Sequence, residues 1–477
     1  MERPNFLFLF SDQHNHSMMG CVGDPLARTP NLDRLAGEGA LFSQAYCQNP
    51  LCVPSRASLM TGKYCKNTGV YDNRHIIAGN CMTLPRILSL SGYRTCVIGK
   101  THVNGEQWQG FMQRPYGDLY GQGHQPDPSR EHFGENPGLR GIESSGPSGI
   151  PLPLTQTEIC VAEASKWLQS YMAQPAGQPF FLCVNFDKPH FPVNPPREYF
   201  DHYIDEVILN DEDIDYVEGK AVPFVSRSAH RYAFYEHRYN KDIIRKALAA
   251  YYGCVEWVDS AVGRIVDVLD YLGLKDDTVV IYSSDHGEMA YNKGFWQKCV
   301  LFDDSARIPL IFRCPPRIRR NEIKHGLTGL IDIMPTICDM AGIEINEPVD
   351  GISFRAALES GAPSVREEIY CETTVFKEPG HAGCMIRSGE WKYNHYLDGC
   401  DELYNMEADP KELDNLAGNA GYTAIANMLR DKVIAFWEPG NFMSRYMGTP
   451  MMRTEKHYYP YSNQFVLSDG TIIDARP

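Results

Sequence analysis

The sequence predicts an α/β protein in two parts. A large domain of buried parallel strands alternating with helices comes first, and a smaller region rich in short strands follows. Three observations carry this. Four apolar β-like runs each end in polar, chemistry-bearing residues, amphipathic helical stretches separate them, and past about residue 350 the texture changes to short β-like runs. A chain of 477 residues is too long for one small domain and suits one large domain plus a smaller one.

The first run, residues 5–10, is continuously apolar and stops at Ser11-Asp12-Gln13-His14, as a strand buried on both faces does. Thr29-Pro30 opens a short helix through Leu32, Leu35 and Ala36. Asn49-Pro50-Leu51-Cys52 then reads as a loop turning straight into a second helix. Pro54 suits the first turn of that helix, and Ser58, Leu59 and Met60 carry it on to Gly62. Cys52 would therefore face free backbone N–H groups and the positive end of the helix dipole, a ready anion site. Arg56, one turn later on the same face, adds a fixed positive charge.

The second strand run, residues 95–98, ends at Gly99-Lys100-Thr101-His102. On an extended segment Lys100 and His102 project to one side. Residues 121–153 are rich in Gly, Pro and Ser and read as a long loop. A helix over residues 158–172 precedes the third run, residues 179–186, which ends at Lys188-Pro189-His190. Residues 201–242 are irregular, and the acidic stretch 211–215 reads as solvated surface. A long helix over 244–272 carries a broad apolar face, and the fourth run, 278–282, ends at Asp285-His286-Gly287. In open α/β sheets, ligands gather at the carboxyl ends of parallel strands, so the four run ends predict one site.

Short β-like runs follow at 368–372, 383–387 and 390–396. The last forty residues hold Phe442, Tyr446, Tyr458, Tyr459 and Tyr461 without periodicity. The expected division is 1–350, 351–440 and an aromatic-rich tail, 441–477. That tail is expected to pack on its own domain or, as a homo-oligomer contact, on a partner subunit.

A net charge of −15 repels nucleic acid and anionic membranes and argues against both as partners. Any anion site must then be a local cluster of cations strong enough to overcome that field. The 15 cysteines are odd in number and scattered, so most are expected to be reduced and buried. No stretch approaches a membrane span and the N-terminus shows no signal-peptide pattern, so a cytoplasmic location is expected. Asp12 after one strand and Asp285-His286 after another make an oxygen-rich donor set with one imidazole. Such a set suits a hard divalent ion.

Cys52-Val53-Pro54-Ser55-Arg56 followed by Ala57-Ser58-Leu59-Met60-Thr61-Gly62 resembles the signature of the type I sulfatases of the alkaline phosphatase superfamily. Gly92-Tyr93-Arg94-Thr95 through His102 resembles the family's second signature. The segments around Glu402-Leu403-Tyr404-Asn405, Asp409-Pro410 and Asn415-Leu416-Ala417 resemble its small C-terminal sheet. The resemblance implies an alkaline-phosphatase-like fold: a large, mixed, mostly parallel sheet flanked by helices, with a C-terminal α+β antiparallel-sheet subdomain. It implies that Cys52 is oxidised to formylglycine by a formylglycine-generating enzyme, and that its hydrate attacks a sulfate monoester to release an alcohol and inorganic sulfate. It implies metal ligation by Asp12, Gln13, position 52, Asp285 and His286, with Ca²⁺ expected first and Mn²⁺ or Mg²⁺ as alternatives. Gln13 departs from the family's usual second aspartate and brings one negative charge fewer. Arg56 and Lys100 would orient the nucleophile and the sulfate, His190 or Lys298 would protonate the departing alcohol, and His102 would take the proton that lets sulfate leave. Asn73, Arg74, His75 and His14 are candidates for the rim that binds a small-molecule or saccharide sulfate ester. Two rivals remain open. One is a phosphonate monoester or phosphodiester hydrolase on the same scaffold. The other is a non-catalytic anion binder whose Cys52 stays a thiol.

Overall fold

The computed structural model describes residues 3–103, 108–117, 142, 145–173, 177–209, 240–363, 366–375, 378–449, 451, 464–466 and 472–474. Its main sheet has seven strands. They are β1 (Asn5–Asp12), β2 (Ala40–Phe42), β4 (Arg94–Gly99), β5 (Phe180–Pro189), β6 (Thr278–Ser284), β7 (Leu310–Arg313) and β8 (Glu322–Lys324). They run in the order β4-β5-β1-β6-β7-β2-β8, while β3 (Ala45–Tyr46) pairs separately with β9 (Thr328–Gly329). The four neighbours β4, β5, β1 and β6 are mutually parallel, and β7 reverses direction against β6 and β2. They are the four apolar runs of the sequence, and they lie side by side. Their carboxyl ends therefore open onto one edge.

Alternation along these strands feeds two cores. Phe6, Phe8, Phe10, Phe181, Val279 and Ile281 face one side, where α3 (Leu84–Leu90) and α6 (Ile333–Met340) pack. Leu7, Leu9, Leu182, Val184, Val280 and Tyr282 face the other, covered by α1 (Pro30–Gly37), α4 (Gln156–Met172) and α5 (Lys241–Tyr271). This is a three-layer α/β/α arrangement, and every residue of β1, β5 and β6 is buried. The helix expectations hold to within two or three residues at their ends.

The second sheet is antiparallel, in the order β10 (Glu368–Val375), β11 (Glu378–Ser388), β12 (Trp391–Tyr396) and β13 (Glu402–Asn405). Helices α7 (Thr423–Trp437) and α8 (Pro439–Gly448) cover it with Leu429, Val433, Trp437, Phe442 and Tyr446. The tail aromatics Phe442 and Tyr446 thus pack on their own chain. Tyr458, Tyr459 and Tyr461 lie outside the described residues, as do most of the 121–153 loop and the acidic stretch 211–215. Strand β10 donates back to the earlier part of the chain. The Glu372 N–H donates to the Gln48 carbonyl (2.8 Å), and the Thr373 hydroxyl donates to the Cys299 carbonyl (2.9 Å). Among the described residues no helix is long and apolar enough to cross a membrane.

Candidate active site

Helix α2 (Cys52–Thr61) is buried along its whole length, and Cys52 is its first residue. Pro54 falls in the first turn, where its missing N–H costs nothing. The Val53 N–H is capped by the Asn73 side-chain oxygen (3.0 Å). Gly62 ends the helix at φ 65°, with its N–H on the Ser58 carbonyl (2.9 Å). The Ser55 hydroxyl donates to the Asp285 carbonyl (2.5 Å), which fastens the first turn of α2 to the end of β6.

The ends of β1 and β6 meet this turn. One ligand-type atom from each of Asp12, Cys52, Asp285 and His286 lies within 4.8 Å of the others, and all four residues are buried. The Cys52 Sγ stands 3.3 Å from His286 Nε2 and 3.9 Å from Asp12 Oδ1. Arg56 bridges the two carboxylates. Its Nη2 donates to Asp12 Oδ2 (2.8 Å) and its Nε to Asp285 Oδ2 (3.0 Å). Lys100 Nζ reaches the same Asp12 Oδ2 at 2.7 Å. The cations thus take the outer oxygens, Oδ2. The inner Oδ1 of Asp12 faces Cys52 and, at 3.7 Å, His190 Nε2.

The imidazoles are oriented by their other nitrogens. His286 Nδ1 donates to the Gly287 carbonyl (3.0 Å) and His190 Nδ1 to the Phe191 carbonyl (2.6 Å). With the proton on Nδ1, each Nε2 presents a lone pair to the cluster. Gly287 is required here, since a Cβ would stand 2.0 Å from the Asp304 carbonyl oxygen.

Charge follows from this packing. Burial opposes ionisation of Asp12, but the Lys100, Arg56 and Lys298 charges outweigh it and hold the carboxyl well below its usual range. Asp285 goes the other way, pushed up to about 6 by burial and by the Asp12 charge. Burial, reinforced by Lys298, holds both His286 and His190 well below the ordinary imidazole value, so both are neutral. Burial and the Asp12 charge push the Cys52 thiol up to about 11. A carboxylate oxygen, a sulfur and an imidazole lone pair therefore face one another. Together with the Asp285 carboxylate these are the donor types that ligate a divalent cation, so these residues fit a hard metal ion.

Gln13 follows directly at φ 68°. Its carboxamide is sorted by its partners: the nitrogen donates to Glu288 and the oxygen accepts from the Lys298 ammonium. Its backbone N–H donates to Asp285 Oδ1 (3.0 Å), and its carbonyl accepts from the Tyr251 hydroxyl (2.6 Å). His102 is buried at φ 44°, and β4 stops at Gly99. Alternation along an extended strand therefore does not set its direction, which corrects the expectation above. Gln297 (φ 68°) and Cys299 (φ 74°) flank Lys298 in the same left-handed region. Non-glycine residues held there mark a surround that enforces its geometry.

The four rim candidates each have partners within the protein. His14 is fully buried, with Nδ1 on the Tyr282 hydroxyl (2.6 Å), Nε2 on the Met18 carbonyl (3.2 Å), and burial lowering its pKa to about 4. His75 is fully buried between Asp72 (3.0 Å) and the Tyr446 carbonyl (3.1 Å). Arg74 pairs with Asp72 and the Tyr446 hydroxyl, and Asn73 caps α2. Asn73 braces the site helix, and Arg74 and His75 tie the segment after it to α8. Sequence reasoning missed Glu288, Phe191 and Tyr251. For Glu288 a signal existed, a carboxylate three residues after Asp285. Tyr251, in an apolar helical stripe, gave none, and Phe191 had only its place directly after His190.

The sulfatase family profile matches residues 4–343, and a profile for the C-terminal region of N-sulphoglucosamine sulphohydrolase matches residues 291–438. An N-acetylglucosamine-6-O-sulfatase of Bacteroides thetaiotaomicron is 28% identical, the match covering 88% of this chain and 84% of that protein. An arylsulfatase of Clostridium perfringens is 29% identical over 91% of this chain and 94% of its own length. Among solved structures, the phosphonate monoester hydrolase of Agrobacterium radiobacter superposes with a TM-score of 0.75 at 23% identity, covering 100% of both chains, which shows a shared fold.

Proposed function

The chain belongs to the sulfatase family and is a sulfuric ester hydrolase, and from that premise we propose that it works through a formylglycine at position 52 beside a divalent cation. The observation that carries this reading is the meeting of Asp12, Cys52, Asp285 and His286 within 4.8 Å, at the first turn of a buried helix.

Asp12, Asp285 and His286 would hold the cation, Ca²⁺ first by the hardness of the carboxylates. Gln13 would contribute the free lone pair of the amide oxygen that Lys298 also engages. The cation supplies Lewis-acid charge to the sulfate and to position 52. Formylglycine supplies, as its hydrate, the nucleophile, and the Cys52 Sγ stands in for one of its oxygens. A formylglycine-generating enzyme would install it.

The remaining work belongs to unmodified side chains. Arg56, locked between Asp12 and Asp285, keeps the two carboxylates apart and at a fixed angle. Lys100, on Asp12, and Lys298, on Gln13, bring positive charge to a site that must gather an anion against a net charge of −15. The departing alcohol takes its proton from His190 Nε2 or from the Lys298 ammonium. His190 is neutral at rest, and the negative charge of an incoming ester raises its affinity for a proton. His102 would accept the proton whose loss releases sulfate.

The substrate class is a sulfate monoester of a small alcohol or saccharide. The relatives named above act on a sugar sulfate and on aryl sulfates, so the leaving group is what varies across the family. A second reading has its own support. Gln13 removes one negative charge from the metal shell, and the fold is shared with a phosphonate monoester hydrolase. Two measurements decide. Mass spectrometry of the peptide spanning Cys52, from a host with the converting enzyme, should show an aldehyde or its hydrate; a plain thiol in the native host would favour the anion binder. Parallel assays on matched aryl sulfates, phosphonates and phosphodiesters should favour sulfate, and a dominant phosphonate or diester rate would replace the reading.

A further inference from the structure

Phe191 touches both candidate proton donors. Its ring stacks on His190 with centroids 4.1 Å apart and planes 28° apart. Its carbonyl accepts the His190 Nδ1 proton at 2.6 Å. The Lys298 ammonium stands 5.1 Å from its ring centroid. The ring is itself anchored, packing against the cluster that includes Tyr251, Val255 and Trp296. Lys298 is held from its other side by the Gln13 oxygen, and His190 Nε2 points toward Asp12.

The arrangement meets a physical difficulty. Two candidate donors must both be aimed at one leaving oxygen, and a single ring lies against both of them. An aromatic face offers negative quadrupole density to a cation and a flat surface that fixes an imidazole plane. A leucine of similar bulk would fill the space and do neither. Resting on the sulfatase reading, we infer that Phe191 is a positioning residue for leaving-group protonation, acting through His190 and Lys298. In that step the nucleophile oxygen at position 52 would bond to sulfur as the S–O bond to the leaving group breaks, the electron pair of the broken bond goes to the leaving oxygen, and that oxygen takes the proton from one of the two donors. A donor loosened in angle or distance slows this step only where the leaving oxygen needs the proton.

The test is a leaving-group series on the metal-loaded, formylglycine-bearing enzyme, comparing the wild type with Phe191→Leu and Phe191→Tyr. The substrates are 4-nitrophenyl, 4-chlorophenyl, phenyl and 4-methoxyphenyl sulfate. The expected result is a steeper fall of kcat/KM with leaving-group basicity in F191L. It should lose about tenfold on 4-methoxyphenyl sulfate and less than about threefold on 4-nitrophenyl sulfate, with F191Y close to wild type. Unchanged melting and metal content would exclude a folding defect. An equal loss across the series, or a rise in KM alone, overturns the inference. The first would mean a structural role and the second a contact with substrate. If the wild type instead hydrolyses aryl phosphonates and not sulfates, the sulfatase reading fails by itself. The matched aryl phosphonate series then decides the role of Phe191 by the same slope.

Discussion

Two buried ionic clusters in this molecule use similar ingredients and differ at their centres. One lies between the sheets. Lys392 of β12, fully buried, contacts Asp303 at 2.8 Å and Glu412 at 2.7 Å, while Arg387 and the Tyr46 hydroxyl complete the ring around Asp303. Its positive charge is covalently part of the chain and sits between the carboxylates. Despite burial, Asp303 is lowered to about 2 by Lys392 and its neighbours, while burial and the Asp303 charge push Glu412 up to about 7. The other cluster is the site. There Arg56 and Lys100 occupy the outer oxygens, and the inner atoms are a carboxylate oxygen, a sulfur and an imidazole nitrogen. A closed clasp needs its charge built in. A catalytic centre leaves the middle to an exchangeable ion and a substrate.

Breaking this comparison at its strongest point means altering position 52. Cys52→Ala should lower turnover by about 10⁴-fold or more while leaving the melting temperature within a few degrees of wild type. Steady-state rates and calorimetry on the same preparation read both, and appreciable turnover in the variant would show that the chemistry lies elsewhere. Cation removal should act on one cluster alone. Chelation should abolish activity reversibly and lower stability by about 2.7 kcal/mol relative to protein at a metal concentration 100 times Kd. A melting point indifferent to chelator would argue against an ion held by Asp12, Asp285 and His286.

The clasp should respond in the opposite sense. Lys392→Met strands two buried carboxylates and should cost about 3–5 kcal/mol of stability, with little change in kcat for molecules that remain folded. Denaturant titration of the single variant against Lys392→Met with Glu412→Gln would show partial recovery. Recovery of nothing would mean that Lys392 acts by packing alone. The smallest effect should come from Asn73→Ala, which removes the cap from the Val53 N–H and should cost about 1 kcal/mol. A large change in KM for a sulfate ester, with stability unaltered, would return Asn73 to the substrate rim.

Much of this was legible in the chain itself. The strands reveal themselves because burial on both faces demands unbroken apolar runs, and each run stops where polar chemistry begins. Residues 5–10, 95–98, 179–186 and 278–282 read correctly for that reason, and so did the turn into α2, where proline and glycine mark the start and stop. The partners of the rim candidates were not legible in the same way. His14, Asn73, Arg74 and His75 sit close in sequence to site residues, and proximity along the chain says nothing about which way a side chain turns. Tyr282, Val53, Asp72 and Tyr446 claimed them, and three of those partners are far away in sequence or on another element.

The order of residues alone determined that Asp12, Cys52, Lys100, His190 and Asp285-His286 would stand at strand ends or a helix start, because local hydrophobic pattern and backbone chemistry dictate those positions. Only tertiary structure decided that the cations would take the outer oxygens, that Glu288 would turn the Gln13 amide toward Lys298, and that Phe191 would lie against two proton donors. Those choices depend on which groups meet across hundreds of residues in a buried space. There each polar atom must find a partner or bear the cost of leaving water.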